Sequence, residues 1–134
     1  MTKEILYDTE FATMWYHTDK KIIHHEIHKF IYGEEFQKLL LTGTAALKEN
    51  KAQKWLSDDR TNTVVRKVDV AWGDENWVPQ TIEAGWKYWA IVNPAQVIAR
   101  TNMKQLARAY GALGVTVKMF TDPDEAIAWL DSFE

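Results

Sequence analysis

The hydrophobic pattern changes period near residue 32. Before it, Phe11 to His17 is dense in aromatic and β-favouring residues, and Thr18-Asp19-Lys20 forms a polar turn. Lys21 to Ile31 then alternates, with Ile23, His25 and Ile27 on one face and His24, Glu26 and His28 on the other. Two such runs joined by a short polar connection predict an antiparallel hairpin, to which Ile5 to Tyr7 adds an edge strand. Beyond residue 32, Phe36, Leu39, Leu40, Gly43 and Leu47 recur at helical spacing. Glu34 and Glu35 fall in the first turn, where the helix dipole favours negative charge, and Asn50 reads as a left-handed stop. Gly43, on the apolar face, lets this helix lie close to a sheet.

The second half alternates strand and helix. Gln53 to Ser57 is a short strand around Lys54-Trp55-Leu56. Val64, Val65, Val68 and Ala71 stand at helical spacing, but their β-branched content leaves Thr61 to Trp72 open. Asn76 to Gly85 predicts a short helix with Pro79 in its first turn and Gly85 at its end. Lys87 to Val92 is the most apolar run, suits an interior strand covered on both sides, and stops at Asn93-Pro94. Met103, Leu106, Ala107 and Tyr110 mark a helix ending near Gly111 to Gly114, and Val115 to Phe120 a further strand. Asp122 then caps a last helix, with Pro123 at its first position, Glu125 able to close a capping box, and Ala126, Ile127, Leu130 and Phe133 as its buried stripe. The expected fold is α/β, a single domain over residues 1–134. Antiparallel N-terminal strands and parallel C-terminal strands share one mixed sheet with about four helices.

Composition narrows the partners. The chain has a formal net charge of -3, which argues against a nucleic-acid binder that must neutralise phosphates. It has no cysteine, so disulfides, thiolate metal sites and a cysteine nucleophile are excluded. Met1 to Asp8 lacks the apolar run of a signal peptide and no run is long enough to span a membrane, so a cytoplasmic location is expected.

Three stretches carry a family likeness: Lys54-Trp55-Leu56-Ser57-Asp58-Asp59-Arg60, Ala84-Gly85-Trp86-Lys87-Tyr88-Trp89-Ala90-Ile91-Val92, and Val117-Lys118-Met119-Phe120 followed by Asp122, Glu125, Ala126 and Trp129-Leu130. In this order and spacing the chain resembles the STAS-like superfamily, in the branch called SpoIIAA-like, related in fold to the CRAL-TRIO lipid-binding domains. The resemblance implies a mixed sheet with helices largely on one side and a cytosolic bacterial protein. In STAS relatives the domain is a regulatory module that docks on a partner kinase. It is switched by phosphorylation within an Asp-Ser-Ser-Gly-like motif at a strand end. Ser57, Thr61 and Thr63 lie in the comparable region, but none matches that motif, so the switch is not carried over.

Three constellations have chemical potential. Ligands in open α/β sheets bind beyond the carboxyl ends of parallel strands. Those ends carry Asp58, Asp59 and Arg60, then Asn93, then Asp122, a candidate ligand-binding crevice. Against that, Asp122 is already explained as a cap, and Asp58 and Arg60 can pair with each other. The second is His24 and His28 with His17 across the hairpin. Strand alternation works against convergent metal ligation there, and a polar, exposed strand face explains them more simply. No metal site or cofactor is assigned. The third is Trp72, Trp77, Trp86 and Trp89, which either fill the core or present an interaction surface. No nucleophile elbow, phosphate loop or dinucleotide fingerprint is present. The expectation is a non-enzymatic regulatory or protein-binding module with a protein partner or self-association as a homodimer. The alternative is a domain for a small apolar or lipid-like ligand, held in a pocket under Thr61 to Val78.

Overall fold

The computed structural model describes residues 2–133. Six strands form one sheet in sequential order: β1 (Lys3–Asp8), β2 (Ala12–His17), β3 (Ile22–Ile27), β4 (Lys54–Asp58), β5 (Tyr88–Val92) and β6 (Thr116–Phe120). β1, β2 and β3 pair antiparallel, and β3 to β6 pair parallel. The mixed sheet expected from the pattern is therefore present, with β3 as the hinge between its halves. β5 is an interior strand flanked by β4 and β6.

Between β3 and β4 runs α1 (Gly33–Glu49). Between β4 and β5 lies one continuous helical run, made of α2 (Lys67–Trp72), a π-helical turn (Gly73–Trp77) and α3 (Val78–Glu83). Then come α4 (Ala95–Arg100), α5 (Met103–Gly111) and, after β6, α6 (Pro123–Asp131). With 67–83 taken as one helix, four helices of seven or more residues are present among the described residues, besides short α4.

Two apolar layers result. On one face, α1, the 67–83 run and α5 cover Met14, Ile23, Trp55, Trp86 and Val117. On the other, α6 packs Ala126 and Leu130 against Ile22, Leu56, Ala90 and Val92. Alternation along each strand produces this division: Leu56 faces α6 while Trp55 faces α1. Gly43 is the contact point of α1 with the sheet. A Cβ there would stand 2.8 Å from the Met14 methyl carbon and closer still to the Trp55 ring.

Several local expectations shift. The left-handed residue after α1 is Lys51 (φ 53°), while Asn50 sits at φ −91° and donates its amide to the Ala46 carbonyl at 2.8 Å. Thr61 to Arg66 is not helical, and Val64 and Val68 are 69% and 64% exposed, so their helical spacing reflects no buried stripe. α4 gave no periodic signal because none of its residues is buried. Asp122 caps α6 as its sequence indicates, accepting the Asp124 N–H at 3.0 Å, with Pro123 in the first turn. No helix among the described residues is long and apolar enough to cross a membrane.

Candidate functional site

Three strands present one row of side chains toward α1. In parallel register, His25 of β3 stands beside Ser57 of β4, and Trp55 of β4 beside Trp89 of β5. Above this row, α1 contributes Phe36, Leu39 and Leu40, and the π turn contributes Asp74 and Trp77. Tyr110 of α5 closes one side, and Asp59, Asn62 and Val65 follow β4 along another. Together they line a half-open cavity of about 180 Å³ with mainly apolar walls.

The π turn shapes this cavity. Such turns add a residue to the helical ladder and are frequent at functional sites. Here the turn swings Trp77 inward, where it is 6% exposed and stacks edge-on with Trp55 and Trp89. The Trp77 indole N–H is buried without a hydrogen-bond partner. An unpaired buried donor costs about 1–3 kcal/mol, so its retention needs an explanation.

The polar groups on the cavity floor are already oriented. Trp55 Nε1–H donates to His25 Nδ1 at 3.1 Å, which places the imidazole proton on Nε2, and Nε2 lies 3.0 Å from Asp59 Oδ1. The imidazole is thus held with both nitrogens engaged. Trp89 Nε1–H donates to Ser57 Oγ at 2.9 Å, which leaves the Ser57 hydroxyl proton free to donate. Asp69 anchors α2: Arg66 Nε donates to it at 2.8 Å and the Gly33 N–H at 3.3 Å, tying α2 to the start of α1. The Arg66 hydrogen bonds hold the Asp69 carboxyl below the usual carboxylate range, against burial, which opposes them. Burial, and then the Asp74 charge, push the Tyr110 phenol above its ordinary value, so Tyr110 stays a hydroxyl donor through neutral pH.

The residues singled out in the sequence divide between two places. Of the strand-end group, Asp59 lines the cavity. Asp58, 2% exposed, spends both oxygens on Arg60, with Nη2 at 2.7 Å and Nε at 2.9 Å. Asp122 caps α6, and Asn93 donates its N–H to the Phe120 carbonyl while its side-chain oxygen stays buried and unpaired. The five therefore do not converge on one crevice, because alternation sends Asp58 to the α6 face and Ser57 to the cavity face. The tryptophan group is corrected as a surface. Trp77 and Trp86 are buried in the core, and Trp72 and Trp89 pack half-buried against it. Aromatics of this size gain most by burial, and here Trp77 and Trp89 form cavity wall.

The histidine-rich strand face is also not exposed. His17 and His24 are 3% and 7% exposed and joined Nε2 to Nδ1 at 3.0 Å. His28 lies apart, on Thr13 and Glu26. Among the described residues no group of three or more His, Cys, Asp or Glu is placed to hold a metal ion. The sequence reading missed Phe36, Asp69, Asp74 and Tyr110. Phe36 and Tyr110 read only as helix-face residues, and no local pattern announces the π turn that brings Asp74 and Trp77 to the cavity.

A SpoIIAA-like family model matches residues 22–131. The fold is similar to that of an uncharacterized protein of the DUF3478 family with a SpoIIAA-like fold from Shewanella loihica PV-4. That similarity has a TM-score of 0.58 at 16% identity and covers 96% of this chain and 92% of that one. No curated protein shows significant similarity to the chain. The matched span takes in β3 to α6, including every strand that floors the cavity, and the chain belongs to the SpoIIAA-like family.

Proposed function

We propose that the chain is a non-enzymatic binding domain whose ligand is a small, largely apolar molecule held between the sheet and the π turn. The observation that carries this reading is the cavity itself, with its aromatic and aliphatic walls. An apolar protein cavity of roughly 150 Å³ accepts benzene, so this volume suits a ligand of about six to ten non-hydrogen atoms. Binding is favoured over catalysis by the floor: both His25 nitrogens are engaged by Trp55 and Asp59, which leaves the imidazole no free position for proton transfer. A cytoplasmic setting fits a chain without cysteine.

Native mass spectrometry of protein purified gently from its host tests the reading. A mass increment lost on denaturation is the expected result. Uniformly ligand-free protein that also fails to take up small aromatics would overturn it.

A second reading, a regulatory module that docks a protein or a second copy of itself, is favoured by an exposed apolar cluster around α2 and the start of α1. Phe30 and Tyr32 stack at 5.3 Å, Arg66 lies over Tyr32 at 4.8 Å, and Val64, Val68 and Val70 are exposed nearby in the chain. Sedimentation velocity over a wide concentration range, with and without host lysate proteins, checks it. A monomer under all conditions argues against it.

A further inference from the structure

We infer that the open edge of β6 is a docking site for an acidic, extended segment of a partner protein, which adds to the sheet as a further strand. This surface is independent of the cavity and of the cluster around Phe30. The sheet ends in β1 on one side and β6 on the other. β1 is blunted by a bulge between Ile5 and Tyr7, a device that discourages strand addition. β6 keeps unbroken register with β5 from Thr116 to Phe120. The Thr116 N–H donates to the Lys87 carbonyl, and the Phe120 carbonyl accepts from the Asn93 N–H. Alternate residues of a strand turn their backbone groups to opposite sides. Thr116, Lys118 and Phe120 therefore bond β5, while the N–H and C=O of Val117 and Met119 point outward. Among the described residues no backbone hydrogen bond outside the ladder takes them up. α5 and α6 pack on the two faces of β6, not along that edge.

The surroundings of this edge have one sign of charge. Residues 84–121 include Lys87, Arg100, Lys104, Arg108 and Lys118 and no aspartate or glutamate, in a chain whose acids outnumber its bases 19 to 16. All five are exposed, and none forms an ion pair among the described residues, not even with the carboxylates of α6. Lys118 stands on β6 itself, and Lys104 and Arg108 lie one turn apart on α5. A lysine on an edge strand repels a cationic neighbour and favours an acidic one through direct cross-strand pairing. A second copy would bring this basic surface against itself. A bilayer selects helices with an outward apolar face, whereas α5 packs Leu106 and Tyr110 into the core. An acidic strand satisfies both the free backbone groups and the unpaired bases.

The peptide Thr-Glu-Val-Glu-Val-Glu-Thr, its counterpart with lysine for glutamate, and a version with proline for each valine separate charge from strand pairing. Each is titrated into the isotope-labelled full chain at pH 7 and low salt and followed by amide NMR. The acidic peptide should shift the Val117 and Met119 amides and slow their exchange, and the other two should not. Lys118→Glu should lower the affinity of the acidic peptide about tenfold and raise that of the lysine peptide. Should that variant lose the wild-type sheet spectrum, Lys104→Ala/Arg108→Ala serves instead, with a smaller loss. Equal affinity for the acidic and lysine peptides, binding of the proline version as tight as the acidic one, or protection at β1 in place of β6 overturns the inference. So does binding of none of the three. Self-association through these amides, or capture by phosphatidylglycerol vesicles in place of the peptide, likewise overturns it.

Discussion

Lowering the pH should destabilise this protein well before its carboxylates protonate, through the histidine pair on the α6 face. His24 is wedged between Trp15 at 4.9 Å and the stacked ring of His17 at 5.2 Å. A single proton is shared across the His17–His24 contact, and the outer nitrogens, His17 Nδ1 and His24 Nε2, are buried without partners. No carboxylate acts on a charge at His24, and at His17 only Asp19 favours the charged form, behind burial and Lys3. Burial first, then repulsion from His17, His25, Lys3 and Arg60, push the His24 imidazole down to about 3. His17 is lowered by burial, with Lys3 acting in the same direction. The unfolded chain titrates near the ordinary histidine value of about 6.5 and therefore binds more protons than the folded chain throughout the interval below it. The stability contributed by the neutral ring is complete above pH 6.5 and is lost as pH falls toward 3. The slope is about 1.4 kcal/mol per pH unit, so about 2 kcal/mol is gone at pH 5. That is a large share of the 5–15 kcal/mol typical of a domain, roughly speaking. Urea unfolding followed by tryptophan fluorescence at pH 7.5 and 5.0 reads it directly. A His17→Phe/His24→Phe double variant should lose most of the pH dependence. Should that variant not fold, the wild-type ring signals in an NMR titration serve instead. A His24 resonance that titrates between pH 5 and 7, or a double variant as acid-sensitive as the wild type, would refute the reasoning.

Three further outcomes follow from the packing. Gly43→Ala drives a methyl into Trp55 and Met14 and should cost about 1–3 kcal/mol in thermal or urea unfolding, despite the better helix propensity of alanine. Asp69→Ala releases the contacts to Arg66 and to the Gly33 N–H, and hydrogen exchange should rise across 67–77 while the sheet amides stay protected. Trp77→Phe removes the unpaired N–H. Relief of the unpaired donor offsets part of the packing lost with the larger ring, so the stability lost in urea unfolding should be well below the about 3–5 kcal/mol expected of Trp77→Ala.

The strands and most helices were legible because they carry local periodicity. Alternation at Ile23, His25 and Ile27 and the helical stripe Leu39, Leu40 and Leu47 are signals that a single element expresses by itself, and their buried faces agree with it. So is the cap at Asp122 with Pro123, a contact made within three residues of chain. What failed did so where burial and pattern part company. The valines of 64–70 are spaced like a helix face but several are exposed, and α4 buries nothing, so neither had a core to report.

The family likeness was also legible, since motifs such as Trp86 to Val92 are continuous in sequence, whereas the site was not. Asp58 and Asp59 are adjacent in the chain, yet one closes on Arg60 and the other accepts from His25 at the cavity wall. That choice depends on strand alternation at the end of β4 and on which helix covers each face.

By itself, then, the sequence determined the element types, the single α/β sheet and the absence of thiol chemistry, because each depends on neighbours along the chain or on composition alone. Tertiary structure alone decided that four tryptophans line a core and a cavity instead of a surface, and that His17 and His24 share a buried proton. It also decided that Asp59, Asp74, Trp77 and Tyr110 meet around one volume. These residues come from different elements, and only the parallel register and the π turn bring them within reach of one another.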